Sequence, residues 1–144
     1  MQVIAIVLLA SAMIGPISGQ QQIVCPKPED YFPCRCVDYG SASVYLFCDR
    51  QNMRDDKISQ ILQAYLATPG VSPLSFLQLQ YNQLSRVPKE IHLFPQLNYV
   101  NLEYNNIENV QTAAFNFTAT LYQLYLSSNP LVTIEPDAFA GSLQ

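Results

Sequence analysis

Three stretches of the chain carry the same ladder of spaced aliphatic residues followed by an asparagine. The corresponding positions Leu74, Leu97 and Leu121 lie 23 and 24 residues apart. The ladder positions of the three stretches are Leu74, Leu77, Leu79, Asn82, Leu84 and Val87; Leu97, Val100, Leu102, Asn105, Ile107 and Val110; and Leu121, Leu124, Leu126, Asn129, Leu131 and Ile134. A period of this length indicates stacked units that bury one continuous core. We therefore expect a repeat array.

The shared template, LxxLxLxxNxLxxL, resembles the leucine-rich repeat of extracellular proteins. The resemblance covers residues 25–144 and implies an α/β leucine-rich repeat solenoid. It implies short parallel strands on the concave face, irregular or helical return arms and a disulfide-bonded N-terminal cap. Because side chains alternate along a strand, we expect Leu79, Leu102 and Leu126 to face inward in one file. The asparagines should satisfy backbone groups where each coil leaves its strand.

The first residues predict a secretory signal peptide. An uncharged apolar run extends from Val3 to Ala10 and on through Ile14, which is shorter than the roughly 20 residues that span a bilayer. Small residues follow, with cleavage expected near Gly19 or Gln20. Because no Lys or Arg precedes the run, a signal anchor is the alternative. The predicted domains are a signal peptide (1–19), a cysteine-rich cap (20–52), an amphipathic capping helix with a linker (53–73) and three repeats (74–144).

All four cysteines precede the repeats, at Cys25, Cys34, Cys36 and Cys48. An even set behind a signal peptide predicts disulfides, and four cysteines allow three pairings. Zinc is the competing interpretation, but the C-x-C spacing is unusual for its ligands. The arrangement resembles the N-terminal cap of extracellular leucine-rich repeat proteins. That resemblance implies that Cys25 pairs with Cys36 and Cys34 with Cys48.

The segments around the cap predict a hairpin and a helix. The hairpin should turn at Tyr39, Gly40 and Ser41, with Val44, Leu46 and Cys48 alternating along its second strand. The helix is predicted from apolar residues at helical spacing, namely Ile58, Ile61, Leu62, Tyr65 and Leu66. Asp55 and Asp56 stand where an N-cap is expected, and this interpretation is favoured over a metal or catalytic pair.

Catalytic motifs are absent from the sequence. The single histidine, His92, lies between two apolar residues in a return arm, and there is no GxSxG, GxGxxG, P-loop or HExxH motif. The net charge is -4, and no Lys or Arg follows Lys89. Nucleic-acid binding requires clustered cations. We therefore predict a non-enzymatic chain with no cofactor, no metal site and no nucleic-acid partner.

The outward side of the predicted strands is rich in tyrosine. The repeat register places Phe76, Tyr99 and Gln123 in one column and Tyr81, Tyr104 and Ser128 in another, with Glu103 as the acid of this face. Tyrosine is enriched at protein interfaces, although aromatic residues also pair across strands for stability. The predicted partner-binding residues are Phe76, Tyr81, Tyr99, Glu103, Tyr104, Tyr122 and Tyr125.

One N-glycosylation sequon occurs, at Asn116, Phe117 and Thr118. The repeat register places it on the return side of the fold. A glycan at Asn116 would therefore leave the strand face free to bind.

The cap and the first repeats also resemble a narrower group. The segment from Cys25 to Phe117, with FPCRC at Phe32 to Cys36 and TPGVSPL after the helix, is similar to secreted arthropod proteins like the non-catalytic subunit of oplophorus luciferase. The resemblance implies an extracellular protein-binding module. The alternatives are a stabilising subunit of a secreted, luciferase-like monooxygenase complex and, more remotely, an enzyme.

The sequence ends at Gln144 without a cysteine-rich C-terminal cap. Repeat arrays normally close their ends with capping units. We therefore expect either a fragment of a longer repeat protein or a small protein that dimerises through its C-terminal end.

Overall fold

The computed structural model describes residues 25–40, 43–115 and 120–140. The predicted signal peptide, the sequon at Asn116 and residues 141–144 lie outside these ranges. The elements in chain order are α1 (Pro28–Tyr31), β1 (Arg35–Asp38), β2 (Val44–Phe47), α2 (Asp55–Ala67), β3 (Leu74–Gln78), a 3-10 helix (Lys89–Leu93), β4 (Tyr99–Asn101), β5 (Asn109–Val110), β6 (Gln123–Tyr125) and β7 (Thr133–Ile134). Within the described ranges no helix has the length and apolar character needed to cross a membrane.

One five-stranded sheet organises the fold, with the strand order β1-β2-β3-β4-β6. β1 and β2 are antiparallel, whereas β2, β3, β4 and β6 are mutually parallel. The sheet is therefore mixed, because the repeats supply the expected parallel strands and the cap hairpin adds an antiparallel edge. In the return arms β5 and β7 form a second, parallel pair. The Phe115 and Phe139 rings also stack there, with centroids 5.4 Å apart.

The aliphatic ladder of the first two repeats forms most of the core. Its fully buried members include Leu77, Leu79, Leu84, Leu97, Val100, Leu102, Ile107 and Val110. Burial of each such side chain stabilises the fold by roughly 1.5 to 3 kcal/mol. The strand register aligns Leu77, Val100 and Leu124. In the third repeat, however, Leu124 and Leu126 are half-buried and Ile134 is exposed.

The three repeat asparagines form a ladder of hydrogen bonds between successive coils. Each Nδ2 donates to a carbonyl of the preceding coil: Asn82 to Cys48 (2.8 Å), Asn105 to Leu79 (3.0 Å) and Asn129 to Leu102 (2.8 Å). Each Oδ1 accepts from a backbone N–H of the preceding coil: Met53 (2.9 Å), Leu84 (3.0 Å) and Ile107 (3.0 Å). The predicted role of these asparagines is therefore present in all three repeats.

Ser75 in β3 is buried. Its Oγ lies 2.8 Å from Ser43 Oγ and donates to Val44 O at 3.2 Å. The cause is a register shift between β2 and β3, in which Val44 pairs with Leu74 but Tyr45 pairs with Phe76. Ser75 is thus the extra residue of a bulge. The outward alternation begins one residue later, at Phe76.

The cap contains two disulfides, Cys25–Cys36 and Cys34–Cys48, which is the pairing that the family resemblance implied. Between β1 and β2 the chain turns at Gly40, which has a φ of +77° and donates its N–H to Asp38 Oδ1 at 2.7 Å. The inward residues of the second cap strand, Val44, Leu46 and Cys48, are completely buried. The cap therefore covers the open end of the first repeat with a strand of its own.

Helix α2 packs Ile58, Ile61, Leu62 and Tyr65 into the core, whereas Leu66, predicted on the same face, is 37% exposed.

The predicted N-cap role of Asp55 and Asp56 is wrong, because the N-cap residue is Arg54, which makes no side-chain capping bond. Asp55, one residue inside the helix, instead accepts hydrogen bonds from the Ser85 N–H and Oγ. This carboxylate therefore joins α2 to the first repeat.

Glu90 is a buried carboxylate of the 3-10 helix, with 2% of its surface exposed. Its Oε1 accepts hydrogen bonds from Ser59 Oγ and from Gln63 Nε2 (2.9 Å), both on α2. Burial alone would raise the pKa of Glu90. The hydrogen bonds from Ser59, Gln63 and the backbone, together with the Lys89 charge, outweigh burial and lower this pKa below its ordinary value. The ionised carboxylate thus joins α2 to the return arm.

Candidate protein-binding face

Among the residues that the structure describes, seven aromatic side chains on the outward side of the main sheet form a surface that we call the aromatic face. Its members are Tyr45, Phe47, Phe76, Tyr81, Tyr99, Tyr104 and Tyr125. Strand alternation points the five aromatic residues of the strands away from the core, and the parallel register aligns those of the central strands into a column. Tyr81 and Tyr104 instead follow β3 and β4, where the chain turns off each strand.

The first column runs across four strands as Tyr45, Phe76, Tyr99 and Gln123. The Tyr45 and Phe76 rings stack with centroids 4.5 Å apart, and the Phe76 and Tyr99 rings stack at 3.8 Å. The alignment of Phe76, Tyr99 and Gln123 is the one predicted from the sequence. Because the rings cover one another, Phe76 and Tyr99 are only half-exposed. Part of their role is therefore cross-strand packing.

The second column consists of Arg50, Tyr81, Tyr104 and Ser128. The Tyr81 and Tyr104 rings are parallel within 7°, with centroids 4.3 Å apart. The Arg50 guanidinium carbon lies 3.9 Å from the centroid of the Tyr81 ring, within the range of a cation–π interaction. Tyr81 and Tyr104 are 38% and 48% exposed, so this column is more open to solvent than the first.

All four residues of this second column have positive φ, between 53° and 58°. The backbone N–H groups of Arg50, Tyr81 and Tyr104 each continue the coil-to-coil pairing as the chain turns off its strand. Tyr81 N donates to Glu103 O at 3.1 Å, and Tyr104 N donates to Ser127 O at 3.2 Å. For a bulky residue such as tyrosine, positive φ is an outlier. The turn therefore holds two tyrosine side chains outward in a strained backbone conformation.

Polar side chains separate the two columns. Asn101 accepts a hydrogen bond from the Glu103 N–H (2.9 Å), and its Nδ2 donates to Glu103 Oε2 (3.4 Å). The predicted acid of this face is therefore half-buried and already hydrogen-bonded. The neighbouring Gln80 Oε1 is buried and has no hydrogen-bond partner among the residues that the structure describes.

The third repeat contributes unequally to the face. The Tyr125 ring lies 5.4 Å from the Tyr99 ring and is 37% exposed, so Tyr125 extends the aromatic face. Tyr122 is 84% exposed but precedes β6 and belongs to neither column. The structure thus brings together six of the seven predicted partner-binding residues and leaves Tyr122 apart.

Sequence reasoning missed the residues that the cap contributes. Tyr45 contacts Tyr39 (centroids 4.5 Å apart), and the Arg35 guanidinium lies 4.6 Å from the Phe47 ring. Tyr45 and Phe47 alternate with the buried Val44, Leu46 and Cys48, and that pattern could have identified them. Arg50 had no such signal, because its place beside Tyr81 depends on how the cap pairs with β3.

The one histidine of the sequence lies in the 3-10 helix. His92 is exposed, and its Nδ1 hydrogen-bonds with Lys89 O. Across residues 25–40, 43–115 and 120–140, no group of three or more His, Cys, Asp or Glu side chains is arranged to hold a metal ion.

Residues 95–143 match the family described as leucine rich repeat. The chain is also similar to leucine-rich repeat-containing protein 66 of Rattus norvegicus, with 34% identity over 68 residues, which is 47% of this chain. The match spans 8% of that relative's length. These matches support a leucine-rich repeat protein. Leucine-rich repeat domains generally mediate protein–protein interaction and are typical of non-enzymatic binding modules.

Proposed function

We propose that this chain is a non-catalytic, extracellular protein-recognition module that binds its partner through the aromatic face. The observation that carries the proposal is the outward pair Tyr81 and Tyr104, stacked on each other and held at positive φ in two successive repeats.

The positive φ of Tyr81 and Tyr104 is informative because this backbone conformation is energetically unfavourable for tyrosine. A left-handed conformation costs a non-glycine residue roughly 1 to 2 kcal/mol, whereas glycine adopts it freely and asparagine does so more readily than tyrosine. Both repeats nevertheless have tyrosine at this position. Strained residues of this kind cluster at functional sites. We infer that the tyrosine side chains themselves are required.

The chemistry of the face suits a protein partner. Tyrosine offers a large contact area with few rotamers to immobilise, together with a hydrogen-bonding hydroxyl. Arg50 and Arg35 border the face at the cap end, and arginine, like tyrosine, is enriched at the energetic centres of interfaces. The polar side chains of Gln78 and Asn101 lie between the columns. This mixture of aromatic and amide groups is typical of protein-binding surfaces.

An extracellular location is supported by the two cap disulfides, since such bonds persist in oxidising compartments. The predicted signal peptide also supports an extracellular location. If the partner proves to be an enzyme, the chain would be its non-catalytic stabilising subunit.

The test compares captured proteins for three forms of the chain. We immobilise three forms of the chain: the wild type, the double variant Tyr81→Asn/Tyr104→Asn and the control Leu93→Asn. Each form is exposed to extracellular fluid of the source organism. Leu93 is 48% exposed but lies in the return arm. Affinity for the captured partner is then measured for each form.

We expect the double variant to bind at least 30-fold more weakly, because each interface hot spot contributes about 2 kcal/mol or more. Leu93→Asn should bind like the wild type, and all three forms should melt at similar temperatures. Equal binding by the double variant and the wild type would refute the assignment of the face.

A further inference from the structure

A cavity lies on the return arms, away from the aromatic face. It has a volume of about 480 Å³ and is lined by the end of the first repeat, the 3-10 helix and the segment from Gln111 to Ala114. Small-molecule sites typically occupy 300 to 1,000 Å³. The cavity is therefore large enough for a ligand of about one sugar ring.

The charge of the cavity is opposite to that of the chain. The net charge of the sequence is -4, yet the described lining contains Arg86, Lys89 and His92 and no Asp or Glu. The three basic residues are spaced by three positions. Residues three apart in a 3-10 helix lie directly above one another, which places Lys89 and His92 on the same side of the helix.

Carboxylates lie close to this cavity but outside its lining. Asp55 and Glu90 line a smaller neighbouring cavity together with Arg86 and Lys89. Glu90 belongs to the same 3-10 helix but is turned toward α2, where its Oε1 accepts from Ser59 and Gln63. Glu135 is not among the lining residues, and its Oε2 accepts the Thr112 N–H at 2.8 Å. Thr112 Oγ1 in turn donates to Pro136 O at 2.9 Å. None of these three carboxylates lines the larger cavity.

We propose that this cavity binds a small ligand that carries a phosphate or sulfate group. The guanidinium of Arg86 matches the geometry of two such oxygens, and Lys89 adds a compact positive charge. The side-chain amide of Gln111 supplies a neutral donor for the rest of the ligand. The site is separate from the aromatic face, so either proposal can fail without the other.

The experiment is a calorimetric titration of the chain with glucose 6-phosphate, glucose 6-sulfate, inorganic phosphate, inorganic sulfate and glucose. Binding of the charged sugars without binding of glucose is expected. The tighter of the two esters identifies the anion. Inorganic ions should bind more weakly than the sugar esters, because they leave most of the cavity empty. No binding of any anion at millimolar concentration would overturn the proposal.

Substitutions that each remove one positive charge distinguish binding at a defined site from diffuse electrostatic attraction. Arg86→Gln and Lys89→Gln should each weaken binding about 10-fold or more, whereas Lys57→Gln, on α2 and outside the cavity, should leave it unchanged. Glu135→Gln should strengthen binding, because it removes the negative charge of the carboxylate that is hydrogen-bonded to Thr112. Equal weakening by Arg86→Gln and Lys57→Gln would show a general charge effect and refute the site. Melting temperatures confirm that each variant is folded.

Discussion

Replacement of Asn105 by alanine should destabilise the fold far more than the same change at Asn101. Asn105 is 6% exposed and connects two coils, whereas Asn101 is 8% exposed and bonds within its own strand end, to Glu103. Burial alone therefore does not distinguish these two residues. The difference lies in which backbone groups lose their partners.

The magnitude follows from the hydrogen bonds of Asn105. Its Nδ2 donates to Leu79 O (3.0 Å) and Leu102 O (3.1 Å), and its Oδ1 accepts the Leu84 N–H (3.0 Å). The carbonyl oxygens of Leu79 and Leu102 keep hydrogen bonds from the neighbouring repeat asparagines. The Leu84 N–H, by contrast, loses its acceptor when Asn105 is replaced, and no neighbouring asparagine takes over that role.

An orphaned buried donor costs about 1 to 3 kcal/mol, and a lost hydrogen bond costs about 1 kcal/mol. We therefore expect Asn105→Ala to lower the free energy of unfolding by about 2 to 4 kcal/mol. For Asn101→Ala the loss should be about 1 kcal/mol, because the Glu103 N–H that it frees is only part-buried.

Urea unfolding of the disulfide-intact variants measures both changes. If the free energy of unfolding depends on urea concentration with the same slope in both variants, their unfolded states are comparable. Amide hydrogen exchange provides a local readout, in which Leu84 N–H should lose protection in Asn105→Ala alone. Equal losses of stability for the two variants, or unchanged exchange at Leu84, would refute the asparagine ladder as the connection between coils.

Three further predictions concern stability. Tyr104→Asn should change the free energy of unfolding by less than about 1 kcal/mol, because loss of the Tyr81 stack (about 0.5 to 1.5 kcal/mol) is offset by relief of the positive φ (about 1 to 2 kcal/mol); a large loss in urea unfolding would contradict this. Because the pKa of Glu90 is lowered in the folded state, its contribution is complete above the ordinary carboxyl pKa of about 4.3 and is lost as pH falls through the folded value. As the pH is lowered, the free energy of unfolding should therefore fall less steeply for Glu90→Gln than for the wild type. Identical pH dependences would contradict the lowered pKa of Glu90. The double variant Cys34→Ser/Cys48→Ser should have a free energy of unfolding that is lower by about 3 kcal/mol, the value for a disulfide that closes a loop of about 15 residues. An unchanged melting temperature would exclude a stabilising role for this disulfide.

The repeat pattern predicted the features that depend on spacing alone. The positions of Leu77, Val100 and Leu124 across the strands, and of the three asparagines between coils, follow from a period that every coil must share to stack. The tyrosine columns were predictable for the same reason, since residues at equivalent repeat positions lie side by side.

Features that depend on how unlike segments meet were not predictable. The bulge that buries Ser75 arises where the cap strand joins the first repeat, and the cap has no repeat spacing to fix its register. The same junction places Arg50 against Tyr81. Asp55 was misassigned because the apolar spacing that predicted α2 does not fix its first residue, and the helix already includes Asp55, with Arg54 as its N-cap.

The most direct test of the proposed binding face is site-specific photo-crosslinking. The residue p-benzoylphenylalanine is introduced at Tyr104 on the face and, as a control, at the exposed Gln60 on α2. Each form is irradiated in extracellular fluid of the source, and the adducts are compared. We predict a discrete adduct with one protein from position 104 and none from position 60. The same adducts from both positions, or an adduct from position 60 alone, would contradict recognition through the aromatic face.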